Sequence, residues 1–346
     1  MKPAASSWIF IVPVSGLCLS GEISREFSID RVTFVDAQKL PRIRQRLGFP
    51  KRIADYGHSS SVMADFLAHD GTWAVLNQSG SSASIRPKCL KMVADELAIL
   101  GASQLGWSKR RSRSLQRVAR VGDKAGAIRT VFVDRKSAAD SAESFQAPVH
   151  ELSDLLCDKP WRAFQPRHSF FGPFLRLLQQ KSGATSWRDT VRRVLILAGK
   201  SQSTDDLAQA FLLNVIALET ILTAEGDSIQ DTLPAPAEAL LGWVGFWEMD
   251  QYAERIRELY QKRCRLVHDG RLDDITVEDL LFSDDLLFNL LLNLARHPAI
   301  FCDKNSIRAF AEKVQAERSL GIRPRLRPTT LSLFSQQYSP QDLLEI

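Results

Sequence analysis

The chain has 346 residues, of which 45% are hydrophobic and 25% are charged, and its formal net charge is +5 at pH 7. This apolar content is enough for one large core or for two domains, and the ordinary charge content excludes a chain that is disordered throughout. The small positive excess slightly favours an anionic partner.

The five cysteines predict reduced thiols. They are odd in number, widely spaced and form no Cys-x-x-Cys pair, so neither a disulfide framework nor a zinc site is indicated. The sequence also lacks the phosphate-binding and dinucleotide-binding glycine motifs. We therefore expect no metal site and no cofactor.

An apolar run occupies residues 8–19. It could form the core of a signal peptide, but Pro13 and Gly16 interrupt it and no small-x-small cleavage site follows. A first β-strand that ends in a turn is the interpretation that we favour. Because no apolar run reaches about 18 residues, we expect no membrane-spanning helix and a cytoplasmic protein.

Residues 1–150 are predicted to form a mixed, strand-rich domain that could act as a sensor or regulator. Short β-prone runs at 8–12, 31–35, 72–76 and 128–133 are separated by Gly, Ser and Asp turns. Helices are expected within 36–47 and 87–100, and a linker or exposed loop at 138–148. Residues 151–185 are rich in proline and aromatic residues, and we expect them to form an irregular connector.

From residue 186 the apolar residues follow a helical period. We predict helices beginning near 186 and 205, followed by helices at 236–247, 250–267, 276–296 and 305–320. Thr276 and Asp279 are spaced as a capping pair, and Gly270 suits the position after a helix. The fold class is therefore α+β, with an all-α bundle at 186–320 and a basic, proline-containing tail at 321–346.

An arginine and a histidine stand near the end of the predicted helix 250–267. Arg263 falls on an apolar stripe with Ile256 and Val267, where a guanidinium is costly unless it meets an anion or a partner. His268 follows at the helix end, where the helix dipole favours its protonated form. An arginine can hold two phosphate oxygens, and a histidine can move a proton near neutral pH. The alternative is a surface arginine followed by a histidine that only caps the helix.

The residues around this pair resemble the HEPN superfamily, and in particular its Apea-like branch. A helix containing Ala217-Leu218-Glu219 precedes a loop, a further helix and the segment Leu259-Tyr-Gln-Lys-Arg-Cys-Arg-Leu-Val-His-Asp-Gly270. Members of that branch show a similar Ala-Leu-Glu helix and then Tyr-x-x-Arg-x-Lys-Ile-Val-His-Gly. The chain departs from this pattern at Asp269, which is inserted before the glycine.

This resemblance implies metal-independent RNA cleavage, in which a 2′-hydroxyl attacks the adjacent phosphate at a site shared by two subunits. Arg263 would stabilise the charged phosphorane, and His268 would act as general base or general acid. Supporting roles fall to Glu219, Tyr260, Cys264 and Arg265. Glu219 would orient Arg263 from the neighbouring helix, or would be a solvated helix glutamate.

The same resemblance implies a homodimer with RNA as its substrate. It also implies a toxin or an anti-phage effector, with an activator of phage or cellular origin. The stripe of Ile256, Leu259, Tyr260 and Val267 is predicted to face the second copy across a two-fold axis.

Many active members of the HEPN superfamily have Asn, Asp or His where this chain has Cys264. A catalytically silent HEPN module that binds RNA or nucleotides, or serves as a dimerisation scaffold, is therefore the alternative.

A basic run at residues 109–124 is the second candidate for binding RNA. Seven of its sixteen residues are basic and one is acidic. If the run is helical, Arg113, Arg117 and Arg120 share a face that can follow a phosphate backbone. The predicted RNA-binding residues are Lys109, Arg110, Arg111, Arg113, Arg117 and Arg120. A basic surface loop without a ligand is the alternative.

Overall fold

The structure is a computed structural model of the chain. It describes residues 7–20, 26–48, 71–79, 82–110, 116–118, 130–133, 142–145, 154–180, 185–223, 233–241, 249–322 and 336–344. The fold is α+β, as the sequence predicted, with an antiparallel sheet followed by a helical region.

The strands lie in the first 157 residues. They are β1 (Ser7–Ser15), β2 (Leu17–Leu19), β3 (Glu26–Ile29), β4 (Val32–Asp36), β5 (Thr72–Ser79), β6 (Arg117–Val118), β7 (Thr130–Val133), β8 (Ala142–Phe145) and β9 (Leu155–Cys157). An antiparallel five-stranded sheet has the order β3-β4-β5-β1-β6, β2 pairs with β9 in parallel, and β7 pairs with β8. The four predicted β-prone runs are confirmed. The linker predicted at 138–148 is wrong over 142–145, which form β8.

The helices dominate the rest of the chain. They are α1 (Leu40–Ile43), α2 (Ser82–Gly101), α3 (Lys159–His168), α4 (Phe171–Gln179), α5 (Thr185–Gln202), α6 (Leu207–Leu222), α7 (Pro234–Leu241), α8 (Met249–Asp269), α9 (Val277–Arg296), α10 (Lys304–Ser319) and α11 (Pro340–Leu344). The six helices predicted after residue 186 are confirmed. The predicted continuation of α7 through 242–247, which includes Trp243, Phe246 and Trp247, lies outside the described residues.

Local capping signals set the helix ends. The Thr276 hydroxyl accepts a hydrogen bond from the Asp279 N–H, and the Asp279 carboxylate accepts one from the Thr276 N–H, which completes the predicted capping box at α9. After α8, Gly270 adopts φ +66°, a conformation that glycine tolerates best. The start of α6 differs from expectation by a residue or two, because Asp206 is its N-cap and accepts from the Gln209 N–H.

The predicted irregular connector is wrong over its described part, residues 154–180. This segment forms β9, α3 and α4, and it buries Trp161, Phe170, Phe171 and Phe174. Pro160 lies in the first turn of α3, where a backbone N–H has no acceptor within the helix, so its absence costs no hydrogen bond. The Asp158 side chain caps that turn. Pro160 is therefore compatible with helix, whereas Pro166 lies inside α3, where its missing N–H removes one helical hydrogen bond.

One hydrophobic core spans the sheet, α2 and the helical region. Helices α2 and α5 meet closely at Gly199, where a Cβ atom would overlap the carbonyl group of Ala98. On the same interface Glu96 forms an ion pair with Arg192. Burial raises the pKa of Glu96 to about 7, although Arg192 opposes this shift. Because one hydrophobic core contains residues from both sides of residue 150, the boundary predicted there does not separate two cores.

We expect the substitution Gly199→Ala to destabilise the protein. In an ordinary helix this change stabilises by about 1 kcal/mol, because glycine is a poor helix former. Here the added methyl group has no room against Ala98, so we expect a loss of about 2 kcal/mol in the free energy of unfolding, measured by urea denaturation. Gly101→Ala is the comparison, because its added Cβ would meet the Oγ of Ser203 at 2.9 Å, which can rotate, and the backbone oxygen of Gly199 at 3.1 Å, so we expect a smaller loss. A Gly199→Ala protein at least as stable as the wild type would contradict the close packing of α2 on α5.

Candidate functional site

Helix α8 passes from the core into solvent along one face. Ile256 and Leu259 are 0% and 3% exposed, whereas Val267 is 49% exposed. Between them lies Arg263, whose side chain is 20% exposed. These residues are three or four positions apart and therefore share a face of the helix. Arg263 thus stands where this face leaves the core, so it can be held by the protein and still reach an anion.

This packing corrects the predicted dimer surface. Ile256 and Leu259 are covered by their own chain and cannot face a second copy, so their assignment to a two-fold interface is wrong. The physical reason is that the apolar stripe packs inward against the bundle until Arg263. Beyond that point, Val267 alone continues the stripe at the surface.

Glu219 of α6 holds the guanidinium of Arg263. The Arg263 Nη2 donates to Oε2 of Glu219 at 3.2 Å, and Nε lies 3.0 Å from Oε1. The Glu219 side chain is only 10% exposed, so it is not the solvated helix glutamate of the alternative interpretation. Burial raises the pKa of this carboxyl, and the charge of Arg263 opposes the shift. Among the described residues, no acceptor is bonded to Nη1, which leaves one edge of the guanidinium for a ligand.

Tyr260 and Cys264 lie beside Arg263 on the same helix. The ring centroid of Tyr260 is 5.8 Å from Cζ of Arg263, which is within the range of a cation–π contact. A hydrogen bond with Cys264 raises the pKa of Tyr260, and burial contributes to the same shift to a smaller extent. The tyrosine is therefore protonated at neutral pH, and Cys264 is engaged within its own helix.

Arg265 fastens the end of α8 to the loop that follows it. Its Nε donates to Oδ2 of Asp274 at 2.7 Å. A second pair, Lys262 with Asp279 at 2.5 Å, ties α8 to the first turn of α9. Sequence reasoning did not identify Lys262 or Asp274, since nothing in their spacing shows that the loop folds back onto the helix. These pairs position the helix end, and they leave Arg265 already bonded to a carboxylate.

His268 lies in the last turn of α8 and is exposed to solvent. It follows Arg263 by five residues, which in an α-helix corresponds to about 140° around the axis and about 7.5 Å along it. The two side chains therefore leave the helix from different sides. One chain does not direct both of them at the same point unless the long arginine side chain bends towards the helix end.

The basic run proves to be divided between the interior and the surface. Arg110 is buried, and its Nε and Nη2 donate to the carboxylate of Asp284 at 2.7 and 2.8 Å. It cannot follow an RNA backbone in this structure, so this part of the prediction is corrected. Lys109 donates to Asp342 at 2.7 Å. Arg117 lies in β6, so the helical face proposed for it is wrong, while Arg111, Arg113 and Arg120 lie outside the described residues.

The partners of Arg110 form a buried polar cluster, which we call the Asp284 hub. Oδ1 of Asp284 accepts hydrogen bonds from Arg110, from Gln202 at 3.1 Å and from Asn214 at 2.8 Å. Arg110 also donates to the backbone oxygen of Ser201 at 3.0 Å. Sequence reasoning missed this hub, although Asn214, a polar residue within the apolar α6, was a signal that could have indicated it. The hub is structural, because it is enclosed by the bundle.

We expect Arg110→Ala to destabilise the fold far more than its neighbour Lys109→Ala. Removing Arg110 leaves the buried charge of Asp284 without its cation, which typically costs about 3–5 kcal/mol. The Lys109 side chain is 37% exposed, and its partner Asp342, although buried, keeps hydrogen bonds from the N–H and the hydroxyl of Ser339, so we expect a smaller loss of about 1 kcal/mol. Chemical denaturation of both variants tests this difference. An Arg110→Ala protein as stable as the wild type would contradict the buried position of Arg110.

In the part of the chain that the structure describes, no three His, Cys, Asp or Glu side chains are grouped in a way that could hold a metal ion. No helix within these residues is both long enough and apolar enough to cross a membrane.

Comparisons with known proteins yielded no relatives. No model of a known protein family matches the chain, and neither the curated protein sequences nor the solved structures contain a significant match. The resemblance to HEPN proteins therefore stays a prediction that rests on the motif residues of α6 and α8.

Proposed function

We propose that the chain is a metal-independent endoribonuclease of the HEPN type, with Arg263 and His268 at its catalytic site. The observation that carries this proposal is the state of Arg263. Its guanidinium is held by Glu219 at the point where α8 leaves the core, and Nη1 has no bonded acceptor among the described residues. An arginine fixed along one edge and open along the other is suited to binding a phosphate.

Arg263 would stabilise the transition state electrostatically. When the 2′-oxygen attacks the phosphorus, negative charge accumulates on the non-bridging oxygens, and a pre-oriented guanidinium can accept it without further reorganisation. Glu219 fixes the orientation and compensates the charge of Arg263 when no RNA is bound. Tyr260 flanks the guanidinium and restricts its movement.

His268 would carry the protons. As the O2′–P bond forms, a neutral imidazole accepts the 2′-hydroxyl proton, and as the P–O5′ bond breaks, an imidazolium donates a proton to the leaving oxygen. The products are a 2′,3′-cyclic phosphate and a 5′-hydroxyl. One histidine cannot hold both protonation states at once, so the reaction is best served by the His268 side chains of two copies.

The surface next to His268 supports a dimer. Val267 and Leu272 are 49% and 59% exposed, and they lie before and after Asp269, the last residue of α8. Exposed apolar side chains that form one patch commonly mark a protein interface, and we propose that these two do so in the dimer. A two-fold axis close to these two residues would bring two copies of His268 and Arg263 into one cleft.

The proposal of a cytoplasmic toxin or anti-phage effector, with an activator of phage or cellular origin, rests on the HEPN resemblance alone.

A catalytically silent module is the second candidate function. The hydrogen bond between Cys264 and Tyr260 favours it, because the residue after the arginine is occupied within its own helix. In that case the open edge of Arg263 would bind RNA or a nucleotide without cleaving it.

We expect Arg263→Ala and His268→Ala each to lower RNA cleavage by at least about 100-fold, the usual effect of losing a catalytic acid, base or charge stabiliser. Cleavage of a labelled RNA pool in EDTA, with detection of cyclic phosphate ends, is the measurement. Arg162→Ala and His168→Ala are matched controls, because both residues are exposed on α3 at a similar spacing. Circular dichroism verifies that each variant is folded.

Two outcomes would contradict this assignment. If either site variant cleaved RNA like the wild type, the residue would not belong to the catalytic site. If the folded wild type bound RNA but never cleaved it, the silent module would replace the nuclease as the function.

We expect Val267→Asp to convert a homodimer into a monomer and to abolish cleavage, because a buried, unpaired carboxylate opposes association. Light scattering at micromolar concentration measures the mass, and the RNA assay measures the activity. Leu156→Asp is the control, since Leu156 is similarly exposed, at 46%, but lies on β9. A wild-type protein that is monomeric at this concentration and fully active would exclude a site shared by two copies.

A further inference from the structure

Residues 336–344, which we call the strap, lie beside the Asp284 hub. The strap contains the short helix α11, whose first turn is closed by Ser339 and Asp342. The N–H and the hydroxyl of Ser339 both donate to Oδ2 of Asp342 at 2.8 Å. A helix of five residues is not stable by itself in water. The strap therefore depends on its contacts with the rest of the chain.

Ionic and polar contacts hold the strap. Nζ of Lys109 donates to Oδ2 of Asp342 at 2.7 Å and lies 5.9 Å from the ring centroid of Tyr338. The N–H of Gln336 donates to Oδ1 of Asp285 at 3.4 Å. The carboxylate of Asp342 is buried, whereas Lys109 is still partly exposed. Because salt and other anions in solution weaken an ion pair that solvent can reach, the strap can detach reversibly.

The hub keeps the docking position in place when the strap is detached. Lys109 precedes Arg110, and Asp285 follows Asp284, so each lies next to one member of the buried ion pair. The hydrogen bonds from Arg110 to Asp284 do not involve the strap. Lys109 is therefore presented at the same place to a new anion, and little conformational order has to be created on binding.

The strap and the run that it contacts carry opposite charges. Residues 336–346 include the carboxylates of Asp342 and Glu345 and no basic residue. The run 109–124 has seven basic residues and one acidic residue. Carboxylate and phosphate oxygens both accept charge-assisted hydrogen bonds from a lysine. Asp342 therefore occupies the first cation of the run in a position that suits a phosphate.

We infer that the strap competes with single-stranded nucleic acid for the basic run. While the strap is docked, Asp342 occupies Lys109. When a phosphate backbone binds along the run, it displaces Asp342 and the strap detaches, so the strap lowers the affinity of the protein for nucleic acid. The inference deepens the proposed function by naming a regulated binding surface outside the catalytic site, and it rests on that function for the choice of RNA as the nucleic acid.

The competitor has to be a polyanion. Residues 323–335 join the strap to α10, so the strap stays near Lys109 at an effective concentration of roughly millimolar. A single phosphate has no advantage over a carboxylate that is tethered in this way. A nucleic acid backbone contacts several basic residues at once and releases counterions at each contact, which suits the charge of the run.

Hydrogen exchange of the full chain tests the release of the strap. The probe is a single-stranded oligodeoxyuridylate, which lacks the 2′-hydroxyl and is not cleaved by transesterification. The amides of Asp342 and Leu343 donate to Ser339 in the docked strap. We expect them to exchange about tenfold faster when the probe is saturating, because the strap is then detached. Unchanged exchange, or a probe that does not bind, would overturn the inference.

The variant Asp342→Asn should bind the probe about tenfold more tightly than the wild type, as expected if the strap is docked about 90% of the time. Asp303→Asn is the matched control, because it removes the same charge and Asp303 also caps a helix, where its Oδ1 accepts from the Ser306 N–H at 2.7 Å. Adding Lys109→Ala to Asp342→Asn should remove the gain. Equal affinity of Asp342→Asn and Asp303→Asn would overturn the inference. If circular dichroism showed that Asp342→Asn is unfolded, the exchange experiment on the wild type would decide.

Poly-glutamate distinguishes the two classes of partner that the charge of the run admits. Release of the strap by poly-glutamate but not by the oligodeoxyuridylate would overturn the assignment to nucleic acid and identify an acidic protein as the partner. Release by the oligodeoxyuridylate in a protein that never cleaves RNA would support the inference and contradict only the nuclease. The two proposals therefore fail separately.

Discussion

The buried carboxylate of Asp284 constrains how the helices of this protein are arranged. A carboxylate that is 4% exposed is stable only if charged and polar donors surround it. Here the donors come from three other parts of the chain: Arg110 follows α2, Gln202 ends α5 and Asn214 lies within α6. Any shift of one of these segments would leave a buried charge without its partner. The Asp284 hub therefore fixes α5, α6 and α9 relative to the segment that connects them to the sheet.

The position of the proposed catalytic residues follows from this arrangement. Asn214 and Glu219 belong to the same helix, so the hub that holds Asn214 also sets the place from which Glu219 reaches Arg263. On the other side, the first turn of α9 holds α8 through the pair of Asp279 and Lys262. The two helices that the Asp284 hub positions, α6 and α9, therefore both contact α8. Its last turn, with His268, projects beyond them into solvent.

Two arginines show how the same residue type serves two purposes. Arg110 has its Nε and both terminal nitrogens bonded to protein acceptors and is 6% exposed, so its charge is used for stability. Arg263 donates one hydrogen bond to Glu219, through Nη2, its Nε lies 3.0 Å from Oε1 as an ion pair, and it stands at the margin of the core. The difference lies in how many acceptors surround each guanidinium. This difference supports a ligand-binding role for Arg263 and excludes one for Arg110 in the folded chain.

The sequence by itself determined the local structure. Helical periodicity, the Thr276 capping box and the glycine after α8 act over a few residues, so the helices after residue 186 and the main strands could be predicted from nearby positions. The contact of Glu219 with Arg263 was one of two alternatives that the sequence left open, and the structure selects it. Tertiary structure alone decided what was buried. Three features depend on segments that are distant in the sequence: the helices of 159–179, the interior place of Arg110, and the inward packing of Ile256 and Leu259. Burial is decided by which elements pack together, and no local pattern of charge or apolar residues encodes that choice.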